Sequence, residues 1–236
     1  MADSSILIAG NICAGKTTLV NYMKERRLDI EENLGQEVTI YPELIDQVSR
    51  ENFYEDQDNY TFGFELYCLT LRMSRYAKAK SNSGIFIFDR GMIEGAEVFA
   101  KNSYQAGPFK HDEHELYQKV LHKALDNLKR ARSPEWLEKL IVYLRVEDPK
   151  ELKRRNIIRA QEQDVEEIPL SYLTSINQRY EDFIANVDKI YRGKYAVPTP
   201  KVLTIDASVN MRDDPEYLDS VLGQIVDRVK EMQGNS

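Results

Sequence analysis

One stretch, Gly10-Asn11-Ile12-Cys13-Ala14-Gly15-Lys16-Thr17, constrains this chain more than any other. It satisfies the phosphate-binding pattern G-x-x-x-x-G-K-[ST] at every fixed position. The apolar run Ile6-Leu7-Ile8-Ala9 before it reads as a buried strand, and Thr18 to Lys24 after it reads as the opening turns of a helix. A phosphate cradle needs that order. Backbone N–H groups of the loop point inward at anionic oxygens, and the positive end of the helix dipole reinforces them. Gly10 to Thr18 are therefore assigned to the phosphates of ATP or another nucleoside triphosphate. Lys16 would reach the β- and γ-phosphates, and the Thr17 hydroxyl would ligate Mg²⁺.

The rest of the chain repeats the strand-then-helix rhythm. Val38–Tyr41, Ile85–Phe88, Leu140–Leu144 and Val202–Ile205 read as further strands, the second of them apolar enough to be buried on both faces. Helical periodicity runs over Tyr60–Lys80, His111–Arg132, Pro149–Arg159, Leu170–Val187 and Pro215–Glu231. Tyr104–Pro108 and Ala196–Pro200 read as loops. Such alternation predicts an α/β fold, a five-stranded parallel sheet with helices on both faces. With 236 residues and no linker or repeat, the chain is expected to form a single domain over 1–236.

Composition removes several functions. A net charge of −7 argues against a nucleic acid polymer as partner. No apolar run is long enough to span a bilayer, and Met1 to Ser5 lack the features of a secretory signal. Cys13 and Cys68 build no disulfide framework, and a disulfide at Cys13 would obstruct the loop. A cytoplasmic protein is expected.

Ligands of parallel sheets bind at the carboxyl ends of the strands. The loop follows the first strand, Pro42-Glu43 the second and Asp89-Arg90 the third. Two acids and a base thus converge on the phosphate cradle. Alone, each is a solvated strand end or a structural ion pair; together they mark a site.

These residues sit in blocks that resemble the deoxynucleoside kinases, nearest the bacterial purine-deoxynucleoside members. The blocks are Gly10 to Thr18, Pro42-Glu43, Phe53-Tyr54-Glu55-Asp56 with Phe62 to Tyr67, Asp89 to Asn102, and, more weakly, Arg154 to Arg159 with Ile168 to Leu173. They span nearly the whole chain, in order. The resemblance implies a P-loop kinase fold with an arginine-bearing lid at about 155–168. It implies transfer of the γ-phosphoryl of ATP to a deoxynucleoside 5′-hydroxyl, and a homodimer. By the same resemblance Glu43 is the candidate general base at the 5′-hydroxyl. Asp89 helps hold Mg²⁺ and shares the base role, and Arg90 contacts the 5′-oxygen. Tyr54 hydrogen-bonds the sugar 3′-hydroxyl, Arg72 faces the base, and Arg155 and Arg159 close over the transferring phosphoryl group. Phosphoryl transfer depends on in-line positioning and electrostatic stabilisation, which such residues supply.

Three positions depart from the family pattern. Glu65 stands for a glutamine that pairs with the base, Gly95 for an aspartate in the base pocket, and Gln161 follows Arg159 where the lid has a further arginine. Lys153 or Arg154 is a candidate substitute for that arginine. An ionised carboxylate only accepts hydrogen bonds. Guanine presents two adjacent donors, N1–H and the 2-amino group, whereas cytosine and adenine place a bare nitrogen beside their amino group. A guanine-type deoxynucleoside is therefore the expected acceptor, deoxyinosine being tolerated and thymidine or deoxyuridine fitting less fully. Alternatively Glu65 is protonated, or paired with Arg72 or Arg75, and never meets the base.

Glu162, Asp164 and Glu166 are candidates for a lid acid, and Met211 for a contact to the donor base. The histidines 111, 114 and 122 read as surface or helix-contact residues, and Trp136 as a packing anchor. The apolar positions of Phe64–Tyr76 and Leu116–Leu128 form either a dimer interface or core. Two rivals remain: a nucleoside monophosphate kinase on the same fold, which would need extra basic residues around the acceptor, and a non-catalytic nucleotide-binding relative.

Overall fold

The computed structural model describes residues 4–131, 137–163 and 167–234. Trp136, Asp164 and Glu166 lie outside the described residues. Chain order begins β1 (Ser4–Gly10), α1 (Lys16–Glu25), α2 (Arg27–Leu34), β2 (Val38–Tyr41), α3 (Gln47–Glu55), α4 (Gln57–Ala79) and β3 (Ile85–Asp89). A composite helix follows: α5 (Met92–Glu94), a π-helical segment (Gly95–Ala100) and α6 (Lys101–Ala106). Then come α7 (His111–Ala131), β4 (Leu140–Arg145), α8 (Pro149–Gln163), α9 (Leu170–Ala185), a second π-helical segment (Lys189–Lys194), β5 (Lys201–Asp206) and α10 (Pro215–Gly234).

All five strands pair in parallel, in the order β2-β3-β1-β4-β5. Successive side chains of a strand point to opposite faces, so the three central strands feed two cores. Leu7, Ala9, Phe86, Phe88, Ile141 and Tyr143 pack with α4, α7 and the composite helix. Ile6, Ile8, Ile85, Ile87, Leu140 and Val142 pack with α1, α2 and α10 on the other face. Burial on both faces explains why these strands read as unbroken apolar runs. Among the described residues no helix is long and apolar enough to cross a membrane.

The five periodic helices are present with ends shifted by a few residues. Four elements were not expected: α2, α3, the composite helix and the π-helical segment Lys189–Lys194. Helix α2 has only Ile30 and Leu34 buried, and α3 only Phe53, so neither carries an apolar stripe. The start of α3 is nevertheless marked by Asp46, which accepts a hydrogen bond from the Ser49 N–H as an N-cap. The composite helix is buried nearly all round, which erases periodicity. It also corrects the loop expected at Tyr104–Pro108: Tyr104 to Ala106 close α6, and the chain turns at Gly107, whose φ is 105°.

Leu69, Tyr76, Tyr117, Leu121, Leu125 and Leu128, on α4 and α7, belong to the chain's own core. His111 is exposed, His114 stacks on Tyr104 with ring centroids 4.2 Å apart, and His122 lies 5.2 Å from the Tyr195 ring.

Candidate active site

The loop between β1 and α1 requires its glycines. Gly15 has φ +95°, and a Cβ on Gly10 would come within 2.9 Å of the Leu144 carbonyl oxygen. Asn11 anchors the loop from behind: its Nδ2 donates to the Leu173 carbonyl (2.9 Å) and to Asn177 Oδ1 (3.2 Å), while its Oδ1 accepts from the Ile12 N–H (2.7 Å). The Lys16 ammonium donates to the carbonyls of Gly10 (2.8 Å) and Asn11 (2.7 Å). Burial, then Arg90, lowers its pKa to about 8, although Asp89, Glu43 and Glu94 pull the other way.

A cavity of about 580 Å³ opens over the loop. Ile12, Cys13, Gly15, Lys16, Thr17 and Thr18 form its floor. Gly10, Asn11 and Ala14 are buried behind it. Glu43, Tyr54, Glu65, Arg72, Asp89 and Arg90 line the walls, and Arg155 and Arg159 of α8 face them across the opening. Glu43, Tyr54, Glu65, Arg72, Asp89, Arg90, Arg155 and Arg159, all singled out in the sequence, thus meet in one space, whereas Lys153, Arg154 and Gly95 do not line it.

Glu43 lies between two guanidiniums. Arg90 Nε donates to its Oε2 (2.8 Å) and Arg72 Nη2 to its Oε1 (3.1 Å). Burial raises its pKa, but Arg90, Arg72 and Lys16 outweigh burial and hold it at about 2. Arg90 is itself fixed on many sides. Its Nη1 donates to the Tyr180 hydroxyl (2.8 Å) and the Gly10 carbonyl (3.3 Å), that hydroxyl donates to Glu94, and the guanidinium carbon sits 4.4 Å from the Phe99 ring centroid. Its backbone φ is +66°, an unfavourable value for a side chain with a Cβ. Asp89 is raised by burial and by Glu43, and its Oδ1 is buried without a hydrogen-bond partner. An orphaned carboxylate oxygen beside a phosphate loop suits a divalent cation.

Arg75, not singled out in the sequence as a site residue, ties these pieces together. Its Nη1 donates to the carbonyls of Tyr41 (3.3 Å), Pro42 (2.9 Å) and Asp89 (2.8 Å), and its Nη2 to that of Arg90 (3.3 Å). One guanidinium thereby joins the carboxyl ends of β2 and β3. Its spacing of three residues from Arg72 on one helix face was the available signal.

The far end of the cavity is different. Among the described residues Glu65 accepts only from Ser103 Oγ (3.3 Å). Burial pushes its carboxyl up to about 7 despite the opposing pull of Arg72. Neither arginine suggested as its partner pairs with it: Arg72 bonds Glu43, and Arg75 bonds the four carbonyls. Arg72 keeps Nε and Nη1 buried and unpartnered. Gly95 explains how that side chain fits, because a Cβ there would stand 2.0 Å from Arg72 Nη1. An aspartate at 95 is incompatible with this arrangement.

Tyr54 is half-buried and packs its ring against those of Phe53 and Tyr172. Burial raises its phenol to about 12, while Arg159, Arg50 and Arg90 pull it down. Arg155 is held by Glu151 (2.7 Å) and by the Ser208 carbonyl (2.8 Å). Arg159 Nε is buried without a partner. Glu162 pairs with Arg212 (2.7 Å) at the rim. Met211 is buried and packs against Gly15 of the loop. Tyr172 and Arg50 line the cavity without having been expected there.

A family model described as deoxynucleoside kinase matches residues 6–232. The chain is 28% identical to the deoxycytidine kinase of Rattus norvegicus, the match covering 96% of this chain and 89% of that protein. It is 26% identical to the deoxyadenosine/deoxycytidine kinase of Bacillus subtilis (strain 168), with 98% and 95% covered. The solved structure of deoxyadenosine kinase from M. mycoides with bound dCTP is similar in fold, with a TM-score of 0.64 at 21% identity, covering 94% of this chain and 98% of that one.

Proposed function

The chain belongs to the deoxynucleoside kinase family, and from that premise we propose that it transfers the γ-phosphoryl group of ATP, or of another nucleoside triphosphate, to the 5′-hydroxyl of a deoxynucleoside. The observation that carries this reading is the meeting of Glu43, Asp89 and Arg90 with the buried Lys16 on one cavity. Lys16 and the loop N–H groups hold the donor phosphates. Arg90, fixed by Glu43 and Tyr180, presents a donor to the 5′-oxygen. Glu43 orients the 5′-hydroxyl and accepts its proton late in the transfer; an acid held at about 2 is ionised throughout the working range but is a weak base. Asp89, with its partnerless Oδ1, and Thr17 would hold Mg²⁺. The ion would neutralise phosphate charge that builds during transfer. Tyr54 meets the 3′-hydroxyl, and Arg155 and Arg159 close the lid.

The preferred acceptor carries a guanine-type base. Support comes from Glu65, which has no cationic partner within 4.0 Å among the described residues, and from Arg72, whose unpartnered Nε and Nη1 are donors for a purine oxygen or nitrogen. A guanine that offers two donors to Glu65 relieves the burial that holds the acid up.

The enzyme works as a homodimer in a reducing cytoplasm. Leu116, 48% exposed, with the partly buried Phe62, Leu66, Met73 and Val120, supplies an apolar surface on α4 and α7. Cys13 and Cys68 are free thiols. A coupled assay with deoxynucleosides and, separately, deoxynucleoside monophosphates tests the reaction. Turnover of the nucleosides alone is expected; turnover of monophosphates alone overturns the reading.

A further inference from the structure

The cavity's charges do not balance by pairing. Glu43 is bonded to Arg72 and Arg90, Glu162 to Arg212, and Arg155 to Glu151. Two guanidiniums on the lining are left without a carboxylate within 4.0 Å among the described residues: Arg159 on α8 and Arg50 on α3. Among the described residues Arg50 is held by Nη2 donating to the Ile45 carbonyl, at 3.2 Å. It precedes Tyr54 by one helical turn, so both side chains leave the same face of α3 and reach the cavity. Arg159 approaches Tyr54 from the opposite wall, and both arginines act on its phenol.

The lid side is short of a cation. Where a third lid arginine is expected by family resemblance, Gln161 stands. The two substitutes suggested by the sequence are otherwise engaged: Lys153 bonds Glu167 (2.6 Å) and the Ile168 carbonyl, and Arg154 is exposed and bonded to Glu151 through two nitrogens. Arg212 is neutralised by Glu162. Among the described residues Arg50 and Arg159 are the cavity guanidiniums without a carboxylate, and Arg50 comes from the wall rather than the lid.

We propose that Arg50 is a phosphate-binding residue that joins Arg159 in gripping the phosphoryl group in transit, supplying from α3 the charge that the lid lacks. A guanidinium held by a single carbonyl retains donors for a phosphate, and its planar fork suits two phosphoryl oxygens at once. The phosphoryl oxygens come from the donor triphosphate before transfer and from the monophosphate product after it. The proposal rests on the kinase reading above, and its test separates the two.

Arg50→Gln and Arg50→Lys would be compared with the wild type in steady-state kinetics, in titrations with adenylyl imidodiphosphate, and in inhibition by the deoxynucleoside monophosphate product. Thermal melts of all three proteins check the fold. Arg50→Gln is expected to lower kcat about 10- to 100-fold, the scale of one charge-assisted contact. KM for the deoxynucleoside should stay within about twofold, and Arg50→Lys should recover part of the rate. Weaker imidodiphosphate binding identifies the donor as the phosphoryl source, and weaker product inhibition identifies the acceptor side; either supports the proposal. An unchanged kcat overturns it, as does a raised deoxynucleoside KM with kcat retained, which would assign Arg50 to the sugar. If the wild type turns over no deoxynucleoside, the kinase reading fails by itself. The Arg50 assignment then stands if imidodiphosphate binds Arg50→Gln at least about tenfold more weakly, and falls if it does not.

Discussion

Glu43 and Glu65 line the same cavity, yet the first is held at about 2 and the second is pushed up to about 7. Both are desolvated. Glu43 has guanidiniums at 2.8 and 3.1 Å, and Glu65 has a serine hydroxyl. Charge partners set the first and burial sets the second. At the loop end Glu43, Arg90 and Lys16 are fixed by protein partners before any ligand arrives, and Asp89 Oδ1 alone of that group is left open. At the base end an acid and half a guanidinium wait for partners. Under the proposed function this is a division of labour: preorganisation where phosphoryl chemistry is common to many acceptors, unsatisfied groups where the acceptor is chosen.

The largest effects should come from dismantling the loop end. Lys16→Ala removes the buried ammonium over the loop and is expected to lower kcat/KM by roughly a thousandfold or more, measured by coupled assay. Glu43→Gln leaves the shape but removes the charge that fixes Arg72 and Arg90. A loss of kcat of about 10²- to 10³-fold is expected, with a smaller change in KM. If either variant behaves like the wild type, the contrast between the two ends disappears.

Changes at the base end should redistribute activity rather than abolish it. Glu65→Gln replaces an acceptor-only group by one that also donates. The ratio of kcat/KM for deoxyguanosine over deoxycytidine should fall by about tenfold or more. In the wild type, KM for deoxyguanosine should decrease as pH rises from 6 toward 8, because Glu65 ionises near 7; Glu65→Gln should lack this trend.

The smallest effect concerns the buried Glu138. It accepts from the Tyr76 and Tyr191 hydroxyls, and burial raises it to about 7 from 4.5. The folded state retains its proton above the unfolded pKa, so this stability is present at low pH and is lost as pH rises through about 7. Glu138→Gln should flatten the fall in unfolding free energy between pH 5 and 8, by on the order of 2 kcal/mol, with Tm following the same trend. An unaltered slope would show that Glu138 is not the titrating group.

The loop end was legible in the sequence, because its requirements are backbone requirements. A glycine at φ +95°, a lysine one residue on, and acids just past two strands all follow from chain order and sheet topology. The bonds that hold it were not legible. Arg75 reads as one more arginine on α4 until β2 and β3 are brought beside it, and Arg50 lies on a helix without an apolar stripe. At the base end the unusual residues were visible, but not their reason. Gly95 looked like a missing aspartate; the structure shows that the glycine makes room for Arg72. Long-range contacts between helices of the composite, buried type leave no period to read.

The contrast between the two ends is tested most directly by initial rates of the wild-type enzyme on deoxyguanosine, deoxyinosine, deoxyadenosine, deoxycytidine and thymidine, at saturating MgATP and fixed pH. The highest kcat/KM is expected for deoxyguanosine, with deoxyinosine behind it. A clear preference for deoxycytidine would contradict the assignment of Glu65 to the acceptor base.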